Sequence, residues 1–568
     1  MNRLALLCLA ALTMAACAAL SKAPAGWRSA AGGIRAEELL AHVRVLASDE
    51  FEGRGPGTAG ETLSVDYLTA RFRDYGLAPG NPDGSYAQDV PLVGLTAQRS
   101  ATLSAGGKKM HFRFPDDYVA VTRRVEPEVR VSNTDLVFVG YGVVAPEYGW
   151  DDYKGVDVRG KTLVMLINDP AIPDPADPAR LDDAMFKGRA MTYYGCWTYK
   201  YEIASEKGAA AALIIHETGP AGYPYEVVSG SWGRENFDLE REDGNRGRVP
   251  IEAWISEERA RKLFELSGTS LEAMKAAAIR KDFRPVALPA KASFTLRNAI
   301  RHVKSKNVVA KVEGSDPELK DQVVIYTAHW DHLGLDPALK GDQVFNGAVD
   351  NASGCATLLE LGRAFAALPV KPPRSVVFLS VTAEEKGLLG SKWYAEHPLY
   401  PLARTAANIN MDSMNMRGRT RDVVVVGKGQ STLEDVLAGA VAVQDRVLIA
   451  ETQPEKGSYY RSDHFEFAKV GVPALDLHSG EDYLGRPAGW GAEQKEAFVA
   501  HDYHKVSDEV KPEWDLSGLV EDTQLLLRLG LAIASDPAYP EWKEGSEFRA
   551  RREAMLKTRE KNKGDAHL

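Results

Sequence analysis

A rhythm that begins at "NVVAKVEG" (307–314) leaves few folds open: a short apolar run, a loop, an amphipathic stretch, then the same again. "DQVVIYTAH" is followed by "GCATLLELGRAFAAL", and "RSVVFLSVTA" by "GSKWYAEHP". Such runs are too short for helices. Alternating with helical periodicity, they predict an α/β fold, a mostly parallel central sheet sandwiched by helices. In sheets of this kind ligands bind beyond the carboxyl ends of the strands, so the residues directly after each apolar run are where chemistry is expected.

Those positions are unusually rich in metal-binding side chains. "VVIYTAHWDHLG" delivers His329 and Asp331, "FNGAVDNASG" Asp350, "VVFLSVTAEEKG" Glu384 and Glu385, and "AANINMDSMN" Asp412, each following a strand or opening the next helix; near the end, "AHDYHKVSDE" adds His504. Imidazole and carboxylate without thiolate suit zinc or another borderline divalent ion. The set exceeds the needs of one catalytic zinc. It suits a pair of ions roughly 3.5–4 Å apart that share a carboxylate. Asp350, in a tight loop of Gly, Asn and Ser, is the natural bridge. Each residue also has a plainer reading: His329 as a buried histidine bonded to backbone, Asp350 as a helix N-cap competing with Asn351 and Ser353, and Asp412 as a turn acid. His501 competes with His504. Neighbours on a strand face opposite sides, but the strand ends at "VTA", so Glu384 and Glu385 sit where the backbone leaves the sheet.

Together, "LASDEFEGRGPGTAGE", "AHWDHLG", "NGAVDNASG", "TAEEKGLLGS", "NINMDS", "SDHFEFAKVGVPAL" and "YHKVSDE" resemble the di-zinc exopeptidase family of bacterial leucyl aminopeptidases, glutamate carboxypeptidase and glutaminyl cyclases. The resemblance covers about residues 36–115 and 300–535, and residues 126–297 look like the protease-associated domain that several members carry as an insertion. It implies two Zn²⁺ ions, one held by His329, Asp350 and Asp412, the other by Asp350, Glu385 and His504. It further implies Glu384 as general base, Asp331 as the partner that orients His329, and Tyr460 as a donor to the developing oxyanion, with Tyr459 an equal alternative. The order of the two glutamates rests on the resemblance alone. Chemistry agrees with the scheme: a divalent ion acidifies water, and a carboxylate that is not a ligand takes the proton. Asp463 and His464 are expected to support the pocket, and Met414 and Met416 either to line it or to join the core.

At 568 residues the chain exceeds one ordinary domain. The expected division is a signal at 1–18, peptidase parts at 34–125 and 298–540, an inserted β-rich α+β protease-associated domain at 126–297, and a charged tail at 541–568, a solvated helix or a frayed end. "MNRLALLCLAALTMAACAAL" carries Arg3, an apolar stretch and then small residues, which predicts export. "MAAC" resembles a bacterial lipobox, so Cys17 is either a lipidated membrane anchor or part of an ordinary cleavage site. The product is then periplasmic, an outer-membrane lipoprotein, or secreted. Cys196 and Cys355 are too isolated for a disulfide framework and read as small buried residues. A net charge of −10 over this length argues against a nucleic-acid binder, which needs a basic face. The leading reading is an aminopeptidase acting on peptides. A carboxypeptidase or a glutaminyl cyclase on the same scaffold is the alternative. A receptor-like protein that lost catalysis would have lost ligands that are all present here, and a serine hydrolase lacks its GxSxG elbow.

Overall fold

The computed structural model describes residues 25–565, so the signal expected at 1–18, with Cys17, lies outside the described residues. Among the described residues no helix is long and apolar enough to cross a membrane. Two compact units form: one from the chain up to Val90, Lys304–Glu451 and the residues from Arg461 onward, the other from Pro91–Val303 and Thr452–Tyr460.

In the first unit, strands Ser375–Val381, Val323–His329, Thr405–Asn410 and Ala474–Ser479 lie side by side and parallel, an α/β arrangement as the rhythm predicted. Antiparallel pairing flanks them: residues 308–312 of the Val286–Val312 strand on one side, Asp422–Val425 on the other. Register brings the carboxyl ends level, with His329 beside Val381, Thr327 beside Asn410, and Asn410 beside Asp476. Val324, Tyr326 and Ala328 alternate along their strand into one core with Leu358, Leu361, Leu525 and Leu529 of helices Ser353–Ala366 and Ser517–Ser535. The Tyr326 hydroxyl donates to the Leu526 carbonyl at 2.6 Å. Helix Arg549–Asp565 is docked where a solvated tail was expected: Arg552 is buried and donates to the carbonyls of Leu402 and Thr405.

The second unit begins earlier than the residue-126 boundary because strands Ala87–Ala105 and Tyr118–Val121 contribute to it. Its mixed sheet runs from the early residues of Val286–Val312 through Glu128–Phe138, Thr162–Leu166, Ala211–His216 and Ile251–Ser256 to Tyr118–Val121. The four strands between the ends pair in parallel, and antiparallel pairs close the sheet at both sides. Leu163 and Met165 face one core, Val164 and Leu166 another, as strand alternation requires.

Candidate metal centre

His329 is the last residue of its strand and is buried. Its Nδ1 lies 3.1 Å from the backbone carbonyl of Asp331. A carbonyl only accepts, so Nδ1 carries the proton and Nε2 offers a lone pair. That Nε2 is buried without a hydrogen-bond partner and stands 3.4 Å from both Asp350 Oδ1 and Asp412 Oδ1. These separations are long for charge-assisted hydrogen bonds. They match two ligands at the ends of one edge of a tetrahedron around a zinc, about 3.3 Å for bonds of about 2 Å.

A second set shares Asp350. His504 Nε2 lies 3.3 Å from Asp350 Oδ2 and 3.0 Å from Glu385 Oε2. Asp350 thus turns one oxygen to each imidazole, the geometry of a bridging carboxylate. A third imidazole, His332, is buried against the same glutamate, with Nδ1 2.7 Å from Glu385 Oε1. His332, Asp350 and Glu385 also lie close enough together to hold an ion. His504 Nε2 faces two carboxylates, and His332, whose Nδ1 is engaged by Glu385, keeps a buried Nε2 without a hydrogen-bond partner. His501, the competitor in sequence, is exposed at the end of helix Trp490–His501.

Loops hold these groups through backbone contacts. The N–H groups of Val349 and Asp350 each donate to the Asp508 carboxylate at 3.0 Å. Asp412 accepts from Ser462 Oγ at 2.8 Å, and Ser462 accepts in turn from the Asn410 amide at 2.7 Å. Burial pushes Asp412 up, but positive charge at the His329 imidazole, carried by a proton or by a cation in the proton's place on Nε2, and the Ser462 hydroxyl outweigh it and leave Asp412 at about 2. Burial also opposes charge on His504, yet Glu385 and Asp350 lift it to about 10. So many carboxylates around few cations form a site that a divalent ion would neutralise.

Asp331 departs from its expected task. Its carboxylate is 3.9 Å from His329 Nδ1, too far to orient the ring, which its own backbone carbonyl does instead. The carboxylate accepts the N–H of Glu384 at 3.0 Å and of Glu385 at 3.4 Å, fixing the turn that carries the glutamate pair. The two glutamates then differ. Glu385 is tied to His332 and His504, whereas Glu384 stands outside both metal-holding groups. Burial, with Glu385 and Asp412 close by, drives Glu384 well above the usual carboxylate range against the pull of His329.

Tyr460 belongs to the second unit, where its ring lies beside Tyr193 and Tyr459. In the first unit a phenol that sequence reasoning passed over, Tyr503, stacks on His504 with ring centroids 3.9 Å apart. Burial and the charges of Asp350, Glu385, Glu384 and Asp412 raise its ionisation well above the ordinary phenol value. It was legible only as part of "DYHKVSDE", as was Asp508. Asp463 accepts from Ser391 at 2.6 Å, and burial lifts it to about 7. Met414 and Met416 are core residues, and Cys196 and Cys355 are buried.

Residues 307–527 match the model of peptidase family M28. This segment is an M28 peptidase domain. The chain is 31% identical over 196 residues to leupeptin-inactivating enzyme 1 of Streptomyces exfoliatus, covering 34% of this chain and 40% of that one. It is 25% identical over 169 residues to aminopeptidase YwaD of Bacillus subtilis, covering 30% and 34%. A third relative, the probable glutamate carboxypeptidase AMP1 of Arabidopsis thaliana, is 29% identical over 203 residues, covering 34% and 27%. The chain spans less than half the length of each of these relatives. Zinc fits the M28 domain's donor set: a buried lone pair on His329, imidazole and carboxylate donors at ligand spacing, and a carboxylate shared between two groups.

Proposed function

We propose that the chain is an exported zinc-dependent exopeptidase, an aminopeptidase that removes N-terminal residues from peptides. The observation that carries this reading is the division of labour around Asp350: one oxygen toward His329, the other toward His504, with Glu384 left outside both groups. His329, Asp350 and Asp412 would hold one Zn²⁺, and Asp350, Glu385 and His504 the other. Bound there, the pair would supply Lewis acidity, polarising the scissile carbonyl and making water at the site a stronger acid. Glu384, free of ligation and with its proton affinity raised by burial, takes the proton of the attacking water and passes it to the departing amine. Asp331 keeps Glu384 in place through its backbone N–H. Tyr503 presents a protonated phenol that can donate to the carbonyl oxygen as charge develops there, a task for which the sequence had suggested Tyr460.

Aminopeptidase action rests on relatives named for it. Carboxypeptidase action is the second reading, favoured by the relative named a probable glutamate carboxypeptidase. The second unit reads as a protease-associated domain, and export with cleavage or lipidation at Cys17 completes the proposal. Free and N-terminally blocked peptides, analysed by mass for which end is trimmed, test it. Release from free peptides only is expected, and trimming from the carboxyl end would replace it with the second reading. Glu384→Gln should retain zinc and lose activity by about 10²- to 10⁴-fold; full activity in that variant rules out the mechanism.

A further inference from the structure

"DEFEGRGPG", part of the N-terminal motif that the proposed chemistry leaves without a task, lies outside the segment that matches the M28 family model. In the fold it carries a buried guanidinium, Arg54, 1% exposed. Nε donates to the Trp330 carbonyl at 2.8 Å, Nη1 to Leu46 at 2.7 Å and Asn346 at 2.6 Å, and Nη2 to Gly347 at 2.9 Å. Trp330 sits between His329 and Asp331, and Asn346 and Gly347 lead into Asp350. One planar fork therefore spans the two loops that supply His329 and the bridging carboxylate. The segment is shaped for this approach: Gly53 has φ +61, and a Cβ there would strike the carbonyls of Gly334 and Phe345. Asn346 is held from the same side by Ala47 and Asp49, and the Arg54 carbonyl accepts the His332 N–H at 3.3 Å.

Four carbonyls satisfy the fork, but they do not cancel its charge. Burying such a group is costly unless opposite charge is near. Asp331, Asp350 and Asp508 are close enough to act on it electrostatically. We propose that Arg54 is a positioning residue for the metal centre, clamping the His329 and Asp350 loops at ligand spacing and placing a fixed positive charge behind their carboxylates. Lysine does not reproduce this, since a single ammonium cannot bridge both loops in a plane.

The proposal rests on the zinc-peptidase reading, and its test reads zinc binding as well as activity. The full-length chain, Arg54→Lys and Arg54→Met are stripped, reloaded and titrated with zinc against a competing chelator, with thermal melting measured in parallel. Arg374→Lys is the control for a buried arginine with a purely structural task, because Arg374 donates to the carbonyls of Ile533, Pro537 and Ala538. Both Arg54 variants are expected to bind zinc about 10- to 100-fold more weakly, the usual effect of losing a group that orients ligands. Arg374→Lys should lower the melting temperature and leave zinc affinity unchanged. Wild-type zinc affinity in the Arg54 variants overturns the proposal, as does a loss no larger than in Arg374→Lys, or failure of both Arg54 variants to fold. A wild-type chain that binds no zinc overturns the peptidase reading along with it.

Discussion

Glu385 accepts from one imidazole and faces another, and substitution separates the two tasks. His504→Ala is expected to leave the chain with one zinc in place of two, while His332→Ala keeps two bound about 10- to 100-fold more weakly; metal analysis after gel filtration decides. The reverse pattern would make His332 the ligand. A residue of the second unit sets a pH dependence. Asp152, buried in the second unit, accepts the Val143 N–H at 2.9 Å and the Trp150 indole N–H at 2.8 Å, yet burial lifts it from 3.8 to about 6. Its folded value exceeds the unfolded one, so the protonated form adds stability below about pH 4 that is lost as pH rises through about 6. The difference is roughly 3 kcal/mol at most. Melting of the second unit should fall across that window in the wild type and stay flatter in Asp152→Asn.

Helix Ser517–Ser535 reaches the sheet because Gly530 leaves room for a tyrosine. A Cβ at Gly530 would meet the Tyr326 hydroxyl, which is anchored to the Leu526 carbonyl and cannot swing away. Gly530→Ala would gain about 1 kcal/mol of helix propensity. Overpacking costs about 1–3 kcal/mol. The clash should win, giving net destabilisation in chemical denaturation. Adding Tyr326→Phe should recover part of the loss by removing the atom struck, and no recovery would mean that the helix shifts as a whole. Strand pairing at this scale was only partly legible. The first unit's parallel sheet follows from long helical stretches between its strands, which cross over from one strand to the next. In the second unit the direction of pairing was hidden, because short apolar runs read alike in parallel and antiparallel sheets. Its early boundary was hidden too, since a single strand, Ala87–Ala105, runs across it.

Metal links the whole molecule to its stability through one unit. Ions that bind only the folded site stabilise by about 4 kcal/mol at a thousandfold excess over Kd. Chelation should therefore lower the melting of the first unit and leave the second unmoved, which calorimetry resolves as two transitions. A joint shift would contradict the assignment of the site to the first unit. What the chain determined by itself was the fold class of the catalytic unit and which side chains gather at its strand ends. Hydrophobic periodicity is local, and in a parallel sheet it places each residue after a run on a common edge. His329, Glu385 and Asp412 were readable for that reason, and Asp350 from the tight loop that opens helix Ser353–Ala366. Tertiary structure alone decided what each does with its neighbours: that Asp331 holds a turn while its backbone orients His329, that Glu384 stays outside the cluster, and that Arg54 reaches loops almost three hundred positions away. Those outcomes depend on which hydrogen-bond partner lies within about 3 Å. Spacing along the chain carries no such information once the contacts join distant segments.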